Sequence, residues 1–399
     1  MYRAQATIDL AAVRHNVAVV RRRLRPGAAC IAVVKADGYG HGAVQVARAA
    51  LEAGATGLAV TTTEEARALS DAGLGVGVLI MGPVLDDQLE EAVAIGADFV
   101  AWSPEFVRSA GRVAESARRR VRIHLKVDTG MHRLGVDVAM APSLAEAILA
   151  QPWLELWALM THLATADDDP EFMEHQLEVF DRTAEVVRRR APGVLLHAAN
   201  SAATFRGERA HYDAVRTGLA LYGMSPFHRD PAEDALHPAL TLSSYVATLR
   251  DIEAGEGVSY SLTWRAPRAT RVALVPIGYG DGFFRALSNR GDVLIGGKRY
   301  PRVGNVCMDQ FLVEVGRGSP VAFGQPVVLM GAQGQEAITA EHLAALVGTI
   351  NYEVTCSLTA RVKREYVGVI PEPRELYEEA GNDEWSVTPR LSGRTEDHG

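Results

Sequence analysis

Cysteine is scarce in this chain. Cys30, Cys307 and Cys356 are the only three in 399 residues. They are odd in number and far apart, which suits a reducing compartment and leaves no disulfide framework and no zinc spacing. Long apolar runs are missing too. No stretch reaches the ~18 apolar residues of a membrane helix, and Met1-Tyr2-Arg3-Ala4-Gln5 carries no apolar signal core. The expectation is a cytoplasmic protein with no membrane and no metal. Excess positive charge is absent as well: the formal net charge is -8, which argues against a nucleic-acid surface or an anionic-membrane binder. The triplets Arg21-Arg22-Arg23, Arg118-Arg119-Arg120 and Arg188-Arg189-Arg190 close helix-like segments, where they complement the helix dipole and stay solvated. Apart from a recurring strand–helix unit there is no internal repeat and no low-complexity block.

With 48% hydrophobic and 23% charged residues, the composition is that of a globular protein, and its length favours two domains. Asp9 is placed to cap a helix with Leu10, Val13, Val17, Val20 and Leu24 on one face. Eight apolar runs follow: 30–35, 56–60, 76–81, 98–102, 121–127, 154–160, 194–197 and 214–216. Helix-periodic segments separate most of them, at 41–53, 64–71, 85–95, 104–117, 143–150 and 171–190, with a short one at 201–205. Eight strands with intervening helices predict a (β/α)8 barrel over residues 1–237. An open doubly wound sheet obeys similar local rules and is the alternative. Past Pro238 the runs 240–250, 271–276, 292–295, 311–315 and 327–330 predict a mainly β domain to residue 373, with one helix at 340–346. Residues 374–399 are charged and poor in aliphatics, which predicts a mobile tail.

Barrel active sites lie at the carboxyl ends of the strands, so the polar residues following each run matter most. The first run ends at Lys35, ahead of Ala36-Asp37-Gly38-Tyr39-Gly40-His41-Gly42. Burying an unpaired ammonium is costly, yet such a site lowers the amine's pKa so that it can condense with a carbonyl. Two readings stand for Lys35: a Schiff-base lysine for pyridoxal phosphate, or a side chain snorkelling into solvent. Other strand ends offer Lys126, Asp128 and Arg133; Thr161 and His162; His197, Asn200 and Ser201; and Arg216, Thr217 and Gly218. Ser201, the amides around Gly218 and Leu219, and the Tyr39 hydroxyl suit a phosphate near the last strands. Ser201 also suits a helix N-cap. Arg216 has no lone pair, so against a pyridine nitrogen it would leave that nitrogen unprotonated and weaken the ring as an electron sink. That favours moving one α-proton without transamination. Alternatively, Arg216 closes the barrel through an ion pair.

From about Ala6 to Ile370 the chain resembles the alanine racemase family. The resemblance is carried by the ordered motifs Val34–Gly42, Val127–Gly135, His197–Ser201, Val215–Gly223, Gly257–Tyr260, Ile277–Gly282, Gly304–Gln310 and Ile350–Glu353. It implies pyridoxal 5'-phosphate on Lys35, with Lys35 and Tyr260 of the partner subunit as the two bases that interconvert L-alanine and D-alanine in a homodimer. The resemblance also implies peptidoglycan synthesis or a related pathway as the destination of D-alanine. By the same likeness, His162 links Tyr260 towards Arg216, and Arg133 lies near the cofactor and the substrate carboxylate. Lys126 matches a lysine that is often carbamylated. Tyr39, Ser201, Gly218, Leu219 and Tyr352 match the phosphate set, with Asn200 beside them. Met308 and Asp309 match the partner's contribution near the substrate carboxylate, and Tyr279 and Tyr352 match the pair that narrows the entrance. Three features depart from the pattern. His132 stands where glycine or asparagine is commoner, Asn351 stands where proline is common and could loosen the loop bearing Tyr352, and the tail is long. The rival readings are a broader-specificity or serine racemase, an amino-acid decarboxylase with an acidic partner for the ring nitrogen, and a non-catalytic pyridoxal-phosphate carrier.

Overall fold

The structure, a computed structural model, describes residues 2–74 and 77–369. Strand β1 (Gln5–Asp9) opens the chain, and Asp9 caps the helix Leu10–Arg23 by accepting from the amides of Ala11 and Ala12. The following strands are β2 (Ala29–Val33), β3 (Gly57–Val60), β4 (Val78–Ile80), β5 (Asp98–Ala101) and β6 (Val121–Asp128). After a two-residue β7 (Val136–Asp137) come β8 (Leu154–Met160), β9 (Leu195–His197) and β10 (Ala214–Thr217). Each of β2 to β6 pairs in parallel with the next, β6 pairs with β8, and β8, β9, β10 and β2 complete the circuit. The sheet is therefore a closed eight-stranded barrel and not an open one. Strands β2, β3, β4, β5 and β10 are buried at every position, as parallel strands covered by helices must be.

Helices Ala43–Glu52, Thr63–Asp71, Asp86–Ala94, Pro104–Ser116, Ala141–Leu149, Pro170–Arg188 and Ser201–Arg206 alternate with these strands. The expected boundaries shift by a residue or two, chiefly where caps decide the first turn. Thr62 and Glu65 form a reciprocal capping box, for example. The run expected at 76–81 narrows to β4; residue 76 lies outside the described residues, as does the tail at 374–399.

The second sheet is mainly antiparallel and alternates buried with half-buried positions, as in β11 (Leu240–Tyr245). It continues through β12 (Thr248–Ile252), β15 (Thr270–Val275) and β16 (Asp292–Ile295), while β13 (Gly257–Val258) and β14 (Trp264–Arg265) form a separate two-stranded sheet. Then follow β17 (Lys298–Val303), β18 (Phe311–Glu314), β19 (Pro326–Gln333), β20 (Glu336–Ile338) and β21 (Lys363–Val367). Two features differ from the sequence reading. The run 240–250 is two strands, because the chain turns at Val246–Ala247 and carries β11 to β1 and β19 but β12 to β15. The N-terminal β1 belongs to this sheet, antiparallel to β11 and parallel to β21. The first and last described strands are thus neighbours, and one continuous apolar core runs from the barrel into the β sheet.

Candidate active site

A cavity of about 530 Å³ opens at the carboxyl ends of the barrel strands. Lys35 and Tyr39 reach it from the loop after β2. Strand β2 ends at Val33, so Lys35 begins a turn instead of ending the strand. Ala36, Asp37, Gly38 and Tyr39 then all take positive φ, between 50° and 61°. Such a left-handed turn is unfavourable for L-residues, by roughly 1–2 kcal/mol each. It is held by Gly38 N–H to Val34 O at 2.9 Å, Gly40 N–H to Ala36 O at 3.0 Å and Gly42 N–H to Asp37 O at 2.8 Å. Glu65 accepts the Ala36 amide at 2.6 Å and the Thr61 amide at 2.7 Å. Gly40 has no room for a side chain, because a Cβ there would overlap the Thr355 carbonyl.

Lys126 and Arg133 line the cavity from the end of β6 and the loop beyond, Met160 and His162 from the end of β8 and the segment after it, and Asn200 and Ser201 from the segment after β9. Arg216 comes from β10, Gly218 and Leu219 from the turn after it, and Tyr352 from the helix Asn351–Cys356. Thr61 and Met81, at the ends of β3 and β4, line it too. The sequence reading passed over them, although the same strand-end rule points to both. Glu65 was also missed; its only sequence signal is the capping-box spacing from Thr62.

Burial lowers the pKa of Lys35, and nearby Arg133 adds to the effect against Glu65 and Cys356. Burial also lowers Lys126 to about 8, helped by Arg216 and Arg133. The phenols shift the other way: burial raises Tyr39 and lifts Tyr352 to about 12, so both remain hydrogen-bond donors. His162 is pushed well below the usual imidazole range by burial and by Arg216, and it stays neutral.

Arg216 is 3% exposed. Its Nη1 donates to His197 Nδ1 at 2.7 Å and to His197 O at 3.1 Å. Its Nη2 donates to Thr161 O at 2.8 Å and Ala198 O at 3.1 Å, and lies 3.3 Å from His162 Nδ1. No carboxylate bonds it among the described residues, which removes the ion-pair alternative. Its Nε–H is buried without a partner, on a residue that lines the cavity. An unpaired buried donor of this kind fits an acceptor on a ligand, such as a pyridine nitrogen. Ser201 is not the helix N-cap; Asn200 caps that helix through the Ala203 amide at 2.9 Å. Ser201 Oγ instead accepts from the amides of Gly218 at 3.1 Å and Ala220 at 3.3 Å. That ties the segment after β9 to the turn after β10.

Tyr260, Tyr279, Met308 and Asp309 do not line this cavity. They share a separate surface of the β sheet, on which Tyr260 is 74%, Met308 53% and Tyr279 42% exposed. Tyr260 stands between β13 and β14, where Ser259, Ser261 and Leu262 have positive φ. Ser259 Oγ donates to Asn305 O at 2.7 Å, and Asn305 Nδ2 donates to Tyr260 O at 2.8 Å. The Tyr279 amide bonds Cys307 O at 3.1 Å, and Arg361 holds Asp309. Of the expected pair Tyr279 and Tyr352, only Tyr352 lines the cavity.

The structure describes two of the three departures from the expected pattern. His132 has φ 53, a conformation glycine and asparagine adopt more readily. Asn351 does not loosen its loop. It is fully buried and donates to Ser225 O and Glu341 Oε1, both at 2.9 Å, while its own oxygen accepts the Tyr352 amide at 3.1 Å.

The family model for the alanine racemase N-terminal domain matches residues 8–226, and that for the C-terminal domain matches residues 239–366. The chain belongs to the alanine racemase family. It is therefore grouped with the amino-acid isomerases. The alanine racemase of Symbiobacterium thermophilum is 41% identical over 365 residues, covering 91% of this chain and 97% of that protein. That of Mycobacterium tuberculosis is 42% identical, covering 91% and 96%. Among solved structures, the alanine racemase of D-cycloserine-producing Streptomyces lavendulae superposes with a TM-score of 0.87 at 37% identity, covering 93% of this chain and 98% of that one. The Bacillus anthracis enzyme with bound L-Ala-P gives 0.84 at 34% identity, covering 92% and 95%. No described helix is long and apolar enough to cross a membrane.

Proposed function

We propose that this racemase-family chain binds pyridoxal 5'-phosphate in the barrel cavity and interconverts L-alanine and D-alanine as a homodimer with shared sites. The observation that carries the reading is the buried, unpartnered Nε–H of Arg216, a residue that lines the cavity together with Lys35. When bound, the cofactor supplies a carbonyl for an amine and a conjugated ring that spreads the electron pair left at Cα. Lys35 would hold it, and the lowered pKa of Lys35 leaves more of its amine free to act as a base. Arg216 would donate to the ring nitrogen and keep it unprotonated. Tyr39, Ser201, Gly218, Leu219 and Tyr352 would hold the phosphate, with Asn200 and Arg133 completing the wall.

Moving a proton between opposite faces of Cα needs a second carrier. Tyr260 is solvent-exposed here, as is Met308, which supports a surface that is completed by assembly. Tyr260 of the partner subunit would face Cα opposite Lys35. His162 would accept from Arg216 and link the phenol towards it, helping a group whose ordinary pKa is about 10. Met308 and Asp309 of the partner subunit would flank the substrate carboxylate, and Tyr279 with Tyr352 would narrow the entrance. Lys126 stands among cations, so carbamylation, which needs its free amine, would replace a positive charge with a negative one.

In this reading residues 1–237 form the cofactor-binding unit and 238–373 the unit serving the partner, with β1 lent to the second sheet. The free thiols of Cys30, Cys307 and Cys356 support a reducing, cytoplasmic setting, where D-alanine would feed peptidoglycan assembly or a related use. Borohydride reduction of the full-length protein loaded with pyridoxal phosphate should fix the label on Lys35. Label on a different lysine, or no racemisation of alanine by the loaded protein, overturns the proposal.

A further inference from the structure

Behind the Arg216 guanidinium a line of buried polar groups crosses the barrel interior, and the chemistry above makes no use of it. Arg216 Nη1 is 2.7 Å from His197 Nδ1, and His197 Nε2 is 2.8 Å from His124 Nδ1. His124 Nε2 faces Asp98 Oδ2 at 3.6 Å. The four residues come from β10, β9, β6 and β5, and each is 5% exposed or less. Neither Asp98, His124 nor His197 lines the cavity.

The first member dictates the hydrogen-bond direction along this line. A guanidinium only donates, so His197 Nδ1 must accept. Burial, reinforced by Arg216 and His124, keeps that imidazole neutral, so its single proton sits on Nε2. That proton points at His124 Nδ1, which accepts in turn, leaving the His124 proton on Nε2. His124 Nε2 and Asp98 Oδ2 are both buried with no hydrogen-bond partner among the described residues. Their separation exceeds an ordinary hydrogen bond, but each supplies what the other lacks, and a shift of about a few tenths of an ångström joins them.

A guanidinium buried without a carboxylate is costly, and Arg216 has only neutral acceptors. We infer that Asp98, acting through His124 and His197, is the remote counter-charge of Arg216 and fixes the pose in which its Nε–H is left without a protein partner. The three are positioning residues, and their purpose rests on the reading of Arg216 as the partner of the cofactor's ring nitrogen.

Nitrogen NMR of the full-length chain labelled in histidine, with and without pyridoxal phosphate, tests this directly. Both His124 and His197 should carry their proton on Nε2 alone, whereas a proton on Nδ1 of either overturns the inference without recourse to any variant. Asp98→Asn keeps the shape and removes the charge. It should perturb the His197 resonances and lower kcat/KM on the order of 10-fold, the usual scale for a group that orients another. A variant with unchanged His197 resonances and full activity overturns the inference as well. If the wild-type chain fails to bind pyridoxal phosphate, the proposed function falls, while the proton positions in the cofactor-free protein still decide the role of Asp98.

Discussion

The hydroxyl of Tyr39 fills the space that a Cβ on Gly218 would need. The two residues follow β2 and β10, which pair in the barrel wall, so the loops proposed to hold the phosphate are fitted to each other to within one carbon atom. Gly218→Ala would force the buried Tyr39 ring aside. Overpacking of this kind costs ~1–3 kcal/mol, which, if it falls on the bound state, corresponds to about 5- to 150-fold in the dissociation constant of pyridoxal phosphate. An absorbance titration of the variant measures it, and adding Tyr39→Phe should recover part of the loss. Unchanged affinity in the single variant would show that the contact does not shape the site.

Lys126 makes stability depend on pH. Its folded-state pKa is about 8, below the ordinary lysine value of 10.5, so between these values the unfolded chain binds more protons. Stability therefore rises with pH from about 8 to 10.5, at up to about 1.4 kcal/mol per pH unit. In Lys126→Met that portion of the slope should vanish and stability near pH 7 should increase. Denaturant melts of cofactor-free protein in bicarbonate-free buffer provide the comparison; equal slopes would mean that Lys126 is not strained as a cation.

Tyr260→Phe should separate the two proton transfers. Because mirror-image alanines are equally stable, kcat/KM must fall equally in both directions, by about 10²–10⁴-fold for loss of one acid–base group. Exchange of the α-hydrogen with deuterated solvent should survive for one enantiomer and fail for the other. Exchange retained equally for both would remove Tyr260 as a base.

Shared sites predict complementation. Lys35→Ala and Tyr260→Phe should each be nearly inactive alone. After subunit exchange, half of the dimers are mixed and each has one intact site, so about one quarter of wild-type activity should return. No recovery after demonstrated exchange would mean that Tyr260 serves its own chain or no site at all.

Asn351→Ala would leave Ser225 O without its partner and remove one donor from the buried Glu341 carboxylate. One buried unsatisfied group costs about 1–3 kcal/mol, and the helix bearing Tyr352 would be released at its start. A denaturant midpoint equal to wild type would show that the pocket around residue 351 can repair itself.

Local physics makes much of the molecule readable from the chain alone. Barrel strands buried on both sides are short apolar runs, and Asp9 and Thr62 announce the helices they cap. Polar residues that line the cavity gather at strand ends, which is why Lys35, Lys126, His162, Ser201 and Arg216 were legible; Thr61 and Met81 stand at the ends of two of the same predicted runs and were passed over. The choice between Asn200 and Ser201 as cap was not legible, because both are good caps one residue apart. What settles it is that the amides of Gly218 and Ala220 approach Ser201.

The amino-acid order by itself determined which chemical groups are present and that they recur at the ends of eight alternating strands, since burial and periodicity act over a few residues. Tertiary structure alone decided that β1 joins β11 and β21, and that Arg216 meets His197 in place of a carboxylate. It also decided that Tyr260 lies apart from the cavity holding Lys35. These outcomes depend on sheet pairings between residues tens to hundreds of positions apart, and no local pattern in the chain encodes which distant edges will meet.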